Sequence, residues 1–237
     1  MRISDIGIIL LSKKLQEKLL LIKIFSENNG ICSGVIKYPS KKKSQDYQIG
    51  NIVKFQKYAR LTEQLGTITC ECDKSLQTYL LEDRRKLFSF NNICHLILSS
   101  FPEAEQYNDC SNLFRKFLDF IINKDFSWLF YCELELEILK DAGYGLNISS
   151  CAVTKSTKNL LYVSPKTGRA ISEIGARGYE HLLLKLPQFL LSRTEPKIPQ
   201  DIDDALKLSE YFFERYIWKY KSYDDIKNTR LMLRSIL

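Results

Sequence analysis

Over the first 75 or so positions apolar and polar residues alternate in short runs. From about Leu76 onward the apolar residues recur at three- and four-residue spacing instead. The alternating part predicts five strands: Ile6 to Ser12, Lys18 to Phe25, Gly30 to Lys37, Ile49 to Tyr58 and Leu65 to Glu71. In the fourth, Ile52, Lys54, Gln56 and Tyr58 fall on one face and Val53, Phe55 and Lys57 on the other, and Asn28-Asn29-Gly30 supplies a turn. Five short antiparallel strands in this length fit an OB-type barrel, whose strand faces and adjoining loops are where such barrels hold nucleic acid. Pro39 to Asp46 then reads as a mobile loop leaving the third strand.

The helical rhythm predicts helices at Ser75 to His95, from Pro102 to Asn123, at Phe126 to Ala142, at Arg177 to Leu191 and at Ile202 to Lys221. Leu113, Phe114, Phe117, Leu118 and Ile121 mark one face of the second, and Gly143-Tyr144-Gly145 ends the third. Residues 146–176 interrupt this rhythm with two apolar runs and a turn at Ser164-Pro165-Lys166-Thr167-Gly168, which reads as an inserted hairpin module. The expected fold class is α+β, with a five-stranded barrel over 1–75 and a helical domain over 76–237.

With 237 residues, 45% of them apolar and 27% charged, the chain can bury one large core or two modest ones, which excludes disorder as its main state. No signal peptide or membrane span is read, because Ile6 to Leu11 is far shorter than the roughly 20 apolar residues that cross a bilayer. The seven cysteines form no Cys-x-x-Cys pair and an odd number cannot all pair within one chain, so a reduced, cytoplasmic protein is the simplest expectation, and it is expected to act as a monomer. The net charge of +7 is unevenly placed. Between Ile36 and Arg60, Lys37, Lys41, Lys42, Lys43, Lys54, Lys57 and Arg60 face Asp46 alone, and a weaker basic excess follows Tyr211. Tyr38, Tyr47, Phe55 and Tyr58 interleave with the first cluster. Ammonium groups that displace phosphate counterions and rings that stack on bases make this a candidate single-strand groove, set against a solvated lysine loop beside core aromatics.

Other constellations read as structural. Glu133, Glu135 and Glu137 could hold magnesium in a nuclease, but on a helix Glu133 and Glu137 share a face without Glu135, and all three are expected on solvated surface. Cys70 and Cys72 share one face of a strand as ordinary thiols. Cys94 and His95 are separated by about 100° of helical rotation, too far for a nucleophile and its base. Phe212, Phe213, Tyr216, Ile217 and Tyr220 repeat at helical spacing and are expected in the core, while Arg215, Lys219 and Arg230 could extend a DNA path. The ten glycines never reach the spacing of a phosphate loop, which argues against ATP hydrolysis.

Several patches taken in order resemble the RecO family of bacterial recombinational-repair proteins. The first group is Gly7-Ile8-Ile9-Leu10, Glu17, Phe25, Gly30 and Gly34-Val35-Ile36-Lys37, followed by the basic loop to Ser44. Glu133-Leu134, Ala142 to Leu146, Cys151-Ala152, Leu161 to Pro165, Gly168 and Lys227 to Arg230 complete it.

The resemblance implies an N-terminal OB fold, a helical C-terminal domain and a small module that in many relatives holds zinc through two Cys-x-x-Cys pairs. Here Cys151 stands at the first ligand position while Thr154, Ser172 and Gly175 stand at the others, so no zinc is expected, and Leu160, Tyr162 and Val163 are expected to hold the hairpin. It also implies binding of single- and double-stranded DNA, annealing of complementary strands and, with RecR, assistance in loading RecA onto strands coated by single-stranded-DNA-binding protein, whose acidic tail docks on the helical domain. No cofactor or catalysis is implied. The resemblance places DNA contacts at Lys37, Lys41 and Lys43; Ser40 stands where relatives often carry Arg, and Lys42 is expected to compensate for it. Lys54 and Arg230 join them as expected DNA-binding residues. The rival readings are an adaptor that binds acidic peptide tails and an OB-domain nuclease.

Overall fold

The alternating strands close on themselves. The computed structural model describes residues 2–37, 41–60, 65–103, 110–220 and 224–237, together with all their side chains except those of 16, 41–43, 110, 220, 224 and 225. Five strands, β1 (Arg2–Gln16), β2 (Leu19–Ser26), β3 (Gly30–Lys37), β4 (Ile52–Tyr58) and β5 (Gly66–Lys74), form a closed barrel in the order β1-β2-β3-β5-β4. All pairs are antiparallel except β3 with β5, which meet in parallel at Gly34↔Gly66 and Val35↔Thr67. This is the expected OB arrangement. Glycine is needed where it closes: a Cβ on Gly34 would lie 2.9 Å from the Gly66 carbonyl oxygen, and one on Gly66 would lie 2.3 Å from that of Tyr58. Ile9, Leu20, Ile22, Ile24, Cys32, Ile36, Val53, Phe55 and Ile68 fill the interior.

The chain packs as two compact units, Met1–Lys124 and Asp125–Leu237. Strand gives way to helix near residue 75, yet α1 (Gln77–Leu81), α2 (Arg84–Ser100) and α3 (Cys110–Ile122) belong to the unit that holds the barrel. The single helix expected over Ser75 to His95 is two. Asp83 breaks it by adopting extended backbone, and its carboxylate accepts the Arg85 N–H at 2.8 Å to cap α2. Leu113, Phe114, Phe117 and Ile121 bury the expected face of α3, and Phe117 stacks on Phe90 of α2 with ring centroids 5.6 Å apart.

In the second unit α4 (Trp128–Leu139) starts at Ser127, whose hydroxyl accepts the Phe130 N–H at 3.0 Å, and unwinds through a π turn where Gly143 takes φ +89°. A three-stranded sheet follows in the order β7-β6-β8: β6 (Leu160–Val163), β7 (Ala170–Ser172) and β8 (Leu184–Lys185). The helix expected at Arg177 to Leu191 is absent. Gly178 at φ +82° and Pro187 interrupt it, Leu184–Lys185 pair with β6, and what is helical is a 3-10 turn at Glu180–Leu182 and α5 (Gln188–Ser192). α6 (Pro199–Tyr216) starts three residues before the expected Ile202, with proline in its first turn. Phe212 and Phe213 lie in the core, as the aromatic spacing implied.

The last helix, α7 (Asp224–Arg234), has no counterpart among the expected elements. Its buried stripe is Ile226, Arg230 and Leu233, so the central inward position carries a charge and hides the apolar period. Among the described residues no helix is long and apolar enough to cross a membrane.

Candidate nucleic-acid interface

Cross-strand partners share a face of a sheet, so register decides which residues form a surface. On β2 and β3 the inward pairs are Leu20↔Ile36, Ile22↔Gly34 and Ile24↔Cys32, leaving Leu19↔Lys37, Leu21↔Val35, Lys23↔Ser33 and Phe25↔Ile31 on the outer face. One end of that face is covered. Phe25 packs edge-on against Phe114 of α3 at 5.7 Å, Ser111 Oγ donates to the Glu27 carbonyl at 3.0 Å, and Lys23 pairs with Glu103 at 2.5 Å. The other end is open: Leu19, Leu21 and Val35 are half-buried and Lys37 is exposed.

β1 adds to the open end. Lys13 stands opposite Leu21 and therefore on the same outer row as Leu21 and Val35, about 10 Å across two strand spacings. Lys13, Lys14 and Lys18, all exposed, surround the β1–β2 turn next to Lys37, whose β2 partner Leu19 pairs in turn with Gln16. The result is a short apolar strip with cations on both sides. Counting charge by windows misses it, because Lys13, Lys14 and Lys18 lie outside the dense segment and are offset by Glu17. The register of the β1–β2 hairpin was the signal that could have found them.

The rest of the basic window divides. Lys41–Tyr47 is a 3-10 helix rather than a shapeless loop, held by the buried Asn51, whose side-chain amide donates to the carbonyls of Gln45 at 2.8 Å and Asp46 at 3.2 Å. The side chains of Lys41, Lys42 and Lys43 lie outside the described residues. Lys54 is exposed but on the β1–β4–β5 side, opposite Ile6 and bonded to Asp73 at 2.5 Å, with Asp5 and Glu71 lining the same groove. Its charge is locally balanced. Lys57 points inward and is only 4% exposed. The rings divide in the same way: Phe55 is core, Tyr47 packs against that core, Tyr38 lies outside the described residues, and Tyr58 carries the Arg2 guanidinium 5.3 Å above its ring.

Arg230, expected among the DNA contacts, is buried. It is 1% exposed in the second unit, bonded to Glu135, Tyr131 and Ser209. Burial opposes its charge, but the Glu135 carboxylate outweighs that and holds the guanidinium protonated more firmly than usual. Glu135 was expected on solvated surface and is instead this buried partner, while Glu133 pairs with Arg193 at 2.9 Å and Glu137 with Lys140 at 3.0 Å. The three carboxylates each engage a different cation and converge on no common point.

Two family models match the chain: "Recombination protein O N terminal" over residues 1–74 and "Recombination protein O C terminal" over 81–224. The DNA repair protein RecO of Orientia tsutsugamushi (strain Ikeda) is 42% identical over 242 residues, covering 100% of this chain and 98% of the relative. That of Rickettsia canadensis (strain McKiel) is 41% identical over 218 residues, 92% and 90% of the two chains.

The chain belongs to the RecO family.

RecO membership sharpens the question of zinc. The four positions where the family resemblance expects ligands hold one thiol, two hydroxyls and a glycine without a side chain. A structural zinc takes about four thiolate or imidazole ligands, so this donor set does not fit it. Burial pushes the Cys151 thiol up, but hydrogen bonds from the Ser172 hydroxyl and from the Thr154 and Ser172 N–H groups outweigh it and bring it down to about 6. Cys32, Cys70, Cys72, Cys94, Cys132 and Cys151 are all free thiols. Burial raises Cys32 to about 11 and Cys70 to about 12, which leaves both inert as nucleophiles at neutral pH.

Proposed function

We propose that this RecO-family chain is a non-catalytic, DNA-binding mediator of recombinational repair, acting as a cytoplasmic monomer. Family membership supports the role in DNA repair. The observation that carries the binding reading is the open end of the β2–β3 face, where Leu19, Leu21 and Val35 lie between Lys13 on one side and Lys37 on the other, with Lys18 on the adjoining turn. In OB barrels this strand face and the β1–β2 loop are where oligonucleotides sit.

The chemistry follows from charge. Lysines that bind phosphate without reading bases hold either single or double strands. Two bound complementary strands repel each other less once their phosphates are neutralised, which favours annealing. Lys41, Lys42 and Lys43 join this set by charge, since they follow Lys37 closely in the chain. In the cell this binding would serve, with RecR, to load RecA onto strands coated by single-stranded-DNA-binding protein, with the helical unit docking that protein's acidic tail. Divergent pairing of Glu133, Glu135 and Glu137 speaks against the nuclease reading.

The test is fluorescence anisotropy on a single strand over a salt series, combined with annealing of complementary oligonucleotides without metal or nucleotide. Strongly salt-dependent binding with accelerated annealing is expected. Absence of both at low salt removes DNA as the ligand and leaves an adaptor for acidic peptides as the reading to test.

A further inference from the structure

The hairpin module contains two loops of the same design. In residues 151–154 the N–H of Thr154 donates to the first side chain, Cys151 Sγ, at 3.3 Å, and in residues 172–175 the N–H of Gly175 donates to Ser172 Oγ at 3.2 Å. The first loop is completed by Cys151 N–H to the Ser156 carbonyl at 2.8 Å and Lys155 N–H to the Cys151 carbonyl at 3.1 Å, with Lys155 held at φ +62°.

The two loops face each other. Ser172 donates to Cys151 Sγ twice, from its N–H at 3.2 Å and its hydroxyl at 3.3 Å, and its Oγ lies 3.1 Å from Thr154 Oγ1. A Cβ on Gly175 would stand 3.1 Å from Cys151 Sγ and 3.3 Å from Ser172 Oγ. All four positions therefore converge on one point, with Cys151 fully buried there. The spacings match hydrogen bonds. They are shorter than the roughly 3.7 Å between sulfurs that zinc–sulfur bonds of about 2.3 Å impose on a tetrahedron.

We propose that Cys151, Thr154, Ser172 and Gly175 form a metal-independent clasp, in which hydrogen bonds converging on one sulfur close the module that zinc would close in a four-cysteine relative. Cys151 is its acceptor hub: three donors from two loops meet there. The disagreement with the family's zinc expectation is thus a replacement of one cross-link by another. The clasp fastens both loops to β7 and its neighbours, since Ala152 N–H also bonds the Ala170 carbonyl at 2.8 Å. This inference does not depend on DNA being the ligand.

The first test uses the full-length wild-type protein under reducing conditions. Metal content by mass spectrometry should show no stoichiometric zinc, and the melting temperature should not change with EDTA or with added zinc. One firmly held zinc per chain, or a chelator-lowered melting temperature, overturns the proposal. In the second arm Cys151→Ala should speed proteolytic cleavage within residues 146–176 by roughly tenfold through loss of the shared acceptor, with Cys151→Ser falling between; equal cleavage of Cys151→Ala and wild type overturns the hub. In the third, Thr154→Cys/Ser172→Cys/Gly175→Cys should gain one cobalt with a tetrahedral thiolate spectrum. A folded triple variant that binds none shows that the four positions do not converge. Should that variant fail to fold, the wild-type arm still decides.

Discussion

Glu135 on α4 and Arg230 on α7 meet inside the second unit, each only 1% exposed, with the guanidinium forking onto both carboxylate oxygens. Tyr131 donates to the same carboxylate, as does Ser209 of α6 at 2.5 Å, so three helices share one polar centre. A buried pair of this kind is costly to break, because removing one partner strands the other's charge in a dry interior.

Replacing Arg230 with Met should therefore destabilise the second unit by about 3–5 kcal/mol. For a protein of this size that lowers Tm by roughly 10–15 °C, read by calorimetry. The salt dependence of DNA binding by the protein that remains folded should not change. A lower salt slope with unchanged Tm would return Arg230 to the DNA surface.

The basic segment after β3 makes the opposite prediction. If Lys37, Lys41, Lys42 and Lys43 each neutralise one phosphate, changing all four to Ala should reduce the single-strand salt slope by about 3. Tm should hold, since Lys37 is exposed at the end of β3 and lysines that hold phosphate stand in solvent. Anisotropy titrations at several salt concentrations measure it.

Lys13 and Lys18 should matter although neither belongs to the dense basic window. Lys13→Ala/Lys18→Ala should lower the slope by about 1.4, two phosphates' worth. Lys54→Ala should leave it nearly unchanged, because Lys54 is bonded to Asp73 on another side of the barrel. A larger effect at Lys54 than at Lys13 would move the strand path to the β1–β4–β5 groove.

Asp5 is one group through which acid should weaken the barrel. Its carboxylate receives Ser26 Oγ, the Ile6 N–H at 2.8 Å, the Asn28 N–H at 3.0 Å and the side-chain amides of Asn28 and Asn29, tying the β2–β3 turn to β1. Burial pushes its pKa up, but these donors prevail and hold it below the ordinary 3.8. A folded-state pKa below the unfolded one gives stability that is fully present above 3.8 and lost as pH falls through the lower folded value. Asp5→Asn should thus lower Tm at neutral pH and flatten its decline below about pH 4, seen in melts from pH 7 to 2.5.

How much of this was legible in the chain follows from what each signal measures. Strand alternation reports burial on one face, so the five strands were legible, and in β4 Val53 and Phe55 fall together on the face opposite Lys54. The helices of α2, α3, α4 and α6 were legible because their stripes are apolar. α7 was not, since its central buried residue is Arg230, and neither was the break at Asp83, where one capping carboxylate outweighs a continuous helical pattern.

By itself the sequence determined the family, the barrel followed by helices, the basic segment after β3 and the loss of three of the four expected zinc ligands, because all of these are properties of residue type and order. Only the tertiary structure decided which charges are available. Lys54, Lys57, Glu135 and Arg230 look alike as solvated charges in a linear chain, and pairing or burial changes each of them. It also brought Lys13 and Lys18 beside Lys37 and set Ser172 against Cys151, since strand register and loop packing join residues that the chain keeps far apart.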